Sequence, residues 1–262
     1  MGKWHGYTGR PFDLAGAALE QQWPRLHAGN LEPFPVDPAV QETWRAYHEG
    51  RFEDAVALGE AHGGLGLVPA AFAATIYAQY LEEGEQRKVA IFECAMQIAE
   101  RATEACPDNA NAFYMHAVAQ GRYSQFISMV EALARGFAPK IRAAAERCLE
   151  LQPGHAEGHV TLAGWHAEIV DKVGGMLAGL SFGAKKDLAE EHYDRALALA
   201  PLSPVPHIEK AAGLLLMYGE SCRDEAMQLL QKAVTLEPAD AMQALDIEKA
   251  RRTLAELPTM TF

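Results

Sequence analysis

The chain has 262 residues, of which 49% are hydrophobic, and its 35 acidic against 23 basic residues give a formal net charge of −12. Length and composition predict a substantial apolar core, and the acidic balance, with no basic run longer than a pair, argues against nucleic acid as a partner. No stretch approaches eighteen consecutive apolar residues and no signal-peptide pattern opens the sequence, so we expect no transmembrane segment and a cytoplasmic protein.

Residues 1–39 do not show the pattern that organises the rest of the chain. The segment WPRLHAGNLEPFPVDP is rich in prolines and aromatic residues, and proline ends or breaks helices. We expect residues 1–39 to form an N-terminal arm, irregular or packed on the first helical hairpin, with a disordered tail as the alternative.

After the arm, a short phrase recurs four times. The copies are AERATEACPDNANAF, AERCLELQPGHAEGH, YDRALALAPLSPVPH and LQKAVTLEPADAMQA. Each is typical of the end of an amphipathic helix, a turn that carries proline, and the start of the next helix. The prolines are Pro107, Pro153, Pro201 and Pro238.

Small side chains lie five residues before each of these prolines and, in the first three copies, ten residues after it. Antiparallel helices approach closely only where small residues face each other, so these positions predict helix crossings. The positions are Ala102, Cys148, Ala196, Ala233, Ala117, Ala163 and Ala211.

The helix-turn-helix pattern resembles the tetratricopeptide repeat (TPR), with its small residues early and late and its closing proline. A weaker copy is YHEGRFEDAVALGEAHG, where Gly50, Phe52 and Ala55 match the family's turn and second helix. The resemblance implies an all-α superhelical solenoid of about five elongated TPR-like hairpins over residues 40–257, followed by a short tail at 258–262. The segment ADAMQALDIEKARRTLAEL is expected to form the C-terminal capping helix that a solenoid needs.

The spacing of the repeats departs from that family. Successive prolines lie 46, 48 and 37 residues apart, whereas the TPR period is about 34 residues. The extra residues fall inside hairpins, in GRYSQFISMVEALARGFAPK and KVGGMLAGLSFGAKK. Elongated hairpins of this kind are similar to the TPR-like domain of the regulator of microtubule dynamics family, and the best-matching stretch runs from Arg147 to Pro201.

The glycine-rich segment 173–184 does not fit a phosphate-binding loop, because Ala184 separates Gly183 from Lys185 and no hydroxyl residue follows the lysines. It is also too short to cross a bilayer as a helix. We expect an intramolecular joint or a lid, while a partner or membrane contact and a ligand wall stay open. The candidate lid residues are Met176, Leu177, Leu180 and Phe182.

Patterns typical of catalytic and metal sites are weak in this chain. HAEGH places His155 and His159 one helical turn apart, a spacing that can hold a metal, but the repeat explains both residues structurally. The four cysteines have no metal-ligand spacing, and no nucleophile motif is present. We therefore expect no enzyme, no catalytic residue, no metal and no cofactor.

In TPR proteins the first helix of each hairpin lines a concave groove, and the resemblance implies a mostly apolar lining here. Family members that bind a terminal carboxylate use Lys, Arg and Asn, so this lining does not favour such a clamp. The implied groove residues are Asn111, Tyr114, Val118, Glu157, Val160, Gly164, Val205, Ile208, Ala212 and Leu215.

The predicted function is a non-catalytic TPR-type protein-interaction or scaffold module, whose apolar groove binds a partner helix or peptide. The alternative is a carrier that holds a lipid or another hydrophobic small molecule in the groove. A third arrangement also stays open, in which the arm or the hairpin insertions fill the groove, since a large exposed apolar surface is uncommon on a monomer.

Overall fold

The computed structural model describes residues 4–257, and within that range the secondary structure is helical, without strands. The predicted tail at 258–262 and the first three residues of the predicted arm lie outside the described residues.

The chain divides into two compact units. Unit 1 comprises the residues up to His27, Leu31–Gln152 and Asp240–Met242. Unit 2 comprises Ala28–Asn30, Pro153–Ala239 and the residues from Gln243 onward.

Unit 1 contains the helices of the arm and of the first three hairpins. They are α1 (Ala18–Leu26), α2 (Pro38–His48), α3 (Phe52–His62), α4 (Leu67–Tyr80), α5 (Glu85–Ala105), α6 (Ala110–Ser124), α7 (Met129–Ala134) and α8 (Phe137–Leu151). Unit 2 contains two further hairpins, and α14 begins in unit 1 and continues in unit 2. These helices are α9 (Ala156–Val173), α10 (Gly175–Phe182), α11 (Lys186–Leu199), α12 (Pro204–Tyr218), α13 (Arg223–Val234) and α14 (Ala241–Glu256).

Within residues 4–257 the helices pair as five hairpins: α2 with α3, α4 with α5, α6 with α8, α9 with α11, and α12 with α13. The number agrees with the sequence prediction, and α14 lies where the capping helix is predicted. The extra residues of the third and fourth hairpins form short helices of their own, α7 and α10, between the two long ones.

Helix starts are set by side chains that accept hydrogen bonds from the first turn. The Oδ1 atom of Asn109 accepts from the backbone N of Ala112 at 3.0 Å, at the start of α6. The Nδ1 atom of His155 accepts from the backbone N of Gly158 at 2.8 Å, at the start of α9. Since the first four N–H groups of a helix have no partner within it, these caps fix where α6 and α9 begin.

The small residues predicted at helix crossings are all buried. Each of these residues is at most 1% exposed: Ala102, Cys148, Ala196, Ala233, Ala117, Ala163 and Ala211. In unit 2, Ala211 and Ala233 belong to one apolar cluster with Leu230, and Ala163 packs with the buried ring of Tyr193. A side chain no larger than a methyl or thiol group lets two helix backbones approach closely.

Helix α10 is bounded by glycines with positive φ, Gly174 at 78° and Gly183 at 69°. Only glycine adopts these conformations readily, so the chain can leave α9 and enter α11 sharply. The predicted joint is therefore a short helix between two glycine turns.

An aromatic cluster packs the arm in unit 1. Trp23 of α1 lies edge-on to Trp44 of α2, with ring centroids 5.8 Å apart. The Nε2 atoms of His27 and His48 are 3.1 Å apart, and Nδ1 of His48 donates to Oδ2 of Asp240 at 2.7 Å. Because burial of polar groups is costly without partners, this chain of bonds holds the end of α1 in place.

We predict that Gly59→Ala destabilises the protein. A methyl group at Gly59 in α3 would lie 2.2 Å from the carbonyl oxygen of Gly66 and 2.8 Å from Cβ of Ala70, so α3 and α4 would have to separate. Overpacking of this kind costs about 1–3 kcal/mol of unfolding free energy, which urea unfolding followed by circular dichroism would measure.

The matched control is Gly121→Ala in α6, where the added methyl group has nothing within 4 Å. Alanine favours a helix over glycine by about 1 kcal/mol, so this variant should be as stable as the natural chain or more stable. Equal stability of the two variants would contradict the close approach at Gly59.

Candidate functional site

The arm carries a strained residue five positions after the end of α1. Leu31 has φ of +52°, a conformation that is rare for a bulky residue and costs about 1–3 kcal/mol. Two hydrogen bonds hold this turn: the backbone N of Leu31 donates to the carbonyl of His27 at 2.7 Å, and Nε1 of Trp23 donates to the carbonyl of Glu32 at 2.7 Å. The turn directs the next side chain, Glu32, toward the protein.

Glu32 is only 7% exposed, and its carboxylate is bound by two side-chain amides. Nδ2 of Asn111 donates to Oε2 at 2.8 Å, and Nδ2 of Asn109 donates to Oε1 and Oε2 at 3.1 and 3.2 Å. The side-chain oxygen of Asn109, Oδ1, also caps α6. One residue therefore starts the helix and binds the arm.

Burial raises the pKa of Glu32 from its ordinary value of 4.5 to about 7, and the amides of Asn111 and Asn109 offset part of that rise. Withdrawal from water disfavours the charged form, while donors to the carboxylate favour it. Since the first effect is larger, Glu32 titrates near neutral pH. Perturbed carboxyl groups of this kind are enriched at functional sites.

Glu32 lines a cavity of about 650 Å³ in unit 1, beside the turn between α5 and α6. We call it the Glu32 cavity. Its polar lining includes Glu32, Asp108, Asn109 and Asn111, its apolar lining includes leucines and prolines, and none of its residues is Lys, Arg or His. The full lining is Leu31, Glu32, Pro33, Leu65, Ala105, Cys106, Pro107, Asp108, Asn109, Ala110, Asn111, Leu151 and Gln152.

The groove residues predicted for the third hairpin lie on α6. Asn111 is buried and bound to Glu32. Tyr114 is half-buried, with its ring centroid 5.6 Å from that of Phe72. Val118 is also half-buried. Asn111 therefore does bind a carboxylate, although it is one from the protein's own arm.

The groove residues predicted for unit 2 lie on α9 and α12. Glu157 is buried, and its backbone N donates to the carbonyl of Gly29 at 3.0 Å. Val160 and Ile208, 6% and 8% exposed, are members of apolar clusters. Gly164, Val205 and Leu215 are half-buried, and Ala212 is exposed.

Arm residues thus contact a predicted groove residue in each unit, Asn111 in unit 1 and Glu157 in unit 2. These contacts support the arrangement in which the arm fills the predicted groove at Asn111 and at Glu157. That the remaining positions bind a partner stays a prediction.

The predicted lid residues lie on α10. Met176 and Leu180 are 84% and 83% exposed, Leu177 is exposed, and Phe182 is half-buried. None of them lines the Glu32 cavity. Whether α10 acts as a lid stays a prediction.

The two histidines of HAEGH do not converge on a common site. His155 is fully buried as the cap of α9, and burial lowers its pKa to about 3. Nδ1 of His159 lies 2.8 Å from Nδ1 of His192 on α11. Within residues 4–257, no group of three or more His, Cys, Asp and Glu side chains is arranged to hold a metal ion.

Glu32, Asn109 and the turn at Leu31 were not predicted from the sequence. The phrase CPDNANAF contains the helix cap at Asn109, and that local pattern could have been found. The partner of Asn111 lies 79 positions away in the chain, and no local pattern connects the two.

Comparison with solved structures defines the class of the fold. The chain is similar to the crystal structure of a thermophilic TPR protein from Thermus thermophilus, with a TM-score of 0.57 and 18% sequence identity, over 82% of this chain and 97% of that one. The fold is therefore that of TPR-like helical hairpins, and the predicted fold class is confirmed.

A particular family is matched over part of the chain. Residues 68–172 match the family model described as regulator of microtubule dynamics protein 1-3. This confirms the narrower resemblance, although the matched region overlaps only the first part of the stretch Arg147 to Pro201. No curated protein matches the chain by sequence, and no helix within the described residues is long and apolar enough to cross a membrane.

We predict that Glu32→Gln changes how stability depends on pH. The folded pKa of about 7 exceeds the ordinary value of 4.5, so the folded state holds its proton more tightly than the unfolded state does. The contribution of Glu32 to unfolding free energy is therefore highest below pH 4.5 and falls as pH rises to 7. At about 1.4 kcal/mol per pKa unit, the loss is about 3 kcal/mol.

Urea unfolding between pH 4.5 and 8 would test this, with the exposed Glu53→Gln of α3 as the matched control. The Glu32→Gln protein should gain stability relative to the control as pH rises. Parallel curves for the two variants would show that Glu32 is not withdrawn from water.

Proposed function

We propose that this chain is a non-catalytic TPR-type protein-interaction module that binds a peptide segment of a partner. The observation that carries the proposal is the Glu32 cavity, a concavity beside the start of α6 that both polar and apolar side chains line. Ligand sites commonly combine an apolar wall with a few placed polar groups.

The strained turn at Leu31 supports the same location. Unfavourable backbone conformations persist where the surrounding structure imposes them, and they cluster at functional sites. Leu31 and Leu65 also line the cavity and are 41% and 44% exposed. A bound peptide would bury this apolar surface, with a gain of about 25 cal/mol per Å² before ordering costs.

The apolar groove remains part of the proposal at the positions that are not covered by the arm or buried in an apolar cluster. In unit 1 these are Tyr114 and Val118 on α6. In unit 2 they are Gly164 on α9 and Ala212 on α12, together with Val205 and Leu215 of α12, which are half-buried and pack against apolar clusters. We propose that, within each unit by itself, these positions contact a helix or an extended peptide.

The second candidate is a carrier for a lipid or another hydrophobic small molecule. It is favoured by the exposed apolar side chains of α10, Met176 and Leu180 above all, because such side chains could close over an apolar ligand. Native mass spectrometry of the freshly purified chain distinguishes the two candidates, since a carrier should retain a ligand of defined mass.

We predict that Ala105→Trp weakens peptide binding at least about tenfold, which is about 1.4 kcal/mol. Ala105 is exposed at the end of α5 and lines the cavity, so an indole there would take up space in the cavity while the fold is kept. Peptides selected from a displayed random library on the full chain would be titrated by calorimetry.

Ala198→Trp is the matched control, because Ala198 is exposed on α11 in unit 2. Ala198→Trp should leave the affinity for the peptide unchanged.

Loss of binding in Ala212→Asp but not in Ala105→Trp would place the peptide on α12 and contradict binding at the Glu32 cavity. Failure to select any peptide would contradict the interaction module itself.

A further inference from the structure

We infer that the Glu32 cavity recognises a basic side chain, the ammonium of lysine or the guanidinium of arginine, on the bound peptide. This inference rests on the proposed function, and it names the chemistry of the ligand. Three features of the cavity carry it: the charge of its lining, the presence of apolar and polar groups together, and the partners of the Glu32 carboxylate.

The lining carries acidic groups and no basic ones. Glu32 and Asp108 supply two carboxyl groups, and Cys106 is the other titratable residue of the lining. An anionic ligand would be repelled by this set, and an uncharged apolar ligand would remove water from Glu32 without replacing it. A cation offsets the cost of a buried carboxylate by direct attraction and charge-assisted hydrogen bonds.

The lining also suits the mixed apolar and charged character of a long basic side chain. Lys and Arg combine an aliphatic stem with a charged head, and the stem packs on apolar surface while the head reaches polar groups. Leu31, Leu65 and Leu151 provide apolar surface in the same cavity as the carboxylate of Glu32.

The carboxylate is held in a defined position before any ligand binds. The amides of Asn109 and Asn111 donate to it at 2.8–3.2 Å, and Asn109 is fixed in turn as the cap of α6. A preorganised acceptor loses little freedom on binding, which favours recognition of a specific group. Because the pKa of Glu32 is raised, a bound cation should also release a proton from Glu32, since the cation favours the ionised carboxylate.

The test uses two small probes that differ only in the ammonium group at the end of the side chain. N-acetyl-lysine methylamide carries an ammonium group, and N-acetyl-norleucine methylamide carries the same four-carbon stem without it. Binding to the full chain would be followed by the NMR signals of the Asn109 and Asn111 side-chain amides. Alkylation of Cys106, which lines the cavity, would serve as a footprint, with Cys222 of unit 2 as internal reference.

The lysine probe should shift the amide signals saturably, with a dissociation constant of about 1–10 mM, and should protect Cys106 but not Cys222. Glu32→Gln should weaken this binding at least about tenfold, as loss of a charge-assisted contact implies. Glu53→Gln should not weaken it. The norleucine probe should bind at least about tenfold more weakly than the lysine probe.

Equal binding of the two probes, no saturable binding of the lysine probe, or unchanged binding in Glu32→Gln would overturn the inference. The proposed function would survive that failure if the selected peptides still lose affinity in Ala105→Trp. If peptides are selected but bind independently of the cavity, the proposed site fails as well.

Discussion

A carboxylate that leaves water needs hydrogen-bond donors, and in unit 1 this requirement joins Glu32 of the arm to the start of α6. The donors are the amides of Asn109 and Asn111 at the start of α6. The strained turn at Leu31 places Glu32 next to these amides. The hydrogen bond from Nε1 of Trp23 to the backbone carbonyl of Glu32 holds the chain at the same residue. The same few residues thus attach the arm, begin a helix and line the cavity.

The hairpins follow from patterns that act over a few residues, which is why they could be predicted. A proline that ends one helix, a cap that begins the next and a small residue at the crossing are local signals. Pro107, Pro153 and Pro201 lie in turns between helices, and Ala102, Ala163 and Ala196 are buried. The extra residues within the hairpins were recognised from the spacing, although their folding into α7 and α10 was not.

The candidate site could not be predicted in the same way, because its parts are distant in sequence. Nothing near Glu32 indicates that its partners lie on α6, and the pattern that implied a groove could not separate a lining residue from a core residue. Val160 and Ile208 sit at groove positions of the repeat, yet both pack in apolar clusters. Ala212 also sits at a predicted groove position, but it is exposed. The difference depends on neighbouring helices and on the arm, which a periodic pattern does not specify.

Glu32 lies buried beside the cavity as a carboxyl group that titrates near neutral pH. A ¹³C NMR titration of the glutamate side-chain carboxyl signals in the full chain, with Glu32 assigned by comparison with Glu32→Gln, measures this directly. We expect a pKa of about 7 for Glu32. A value near the ordinary 4.5 would show a solvated carboxylate and would contradict this description of the site.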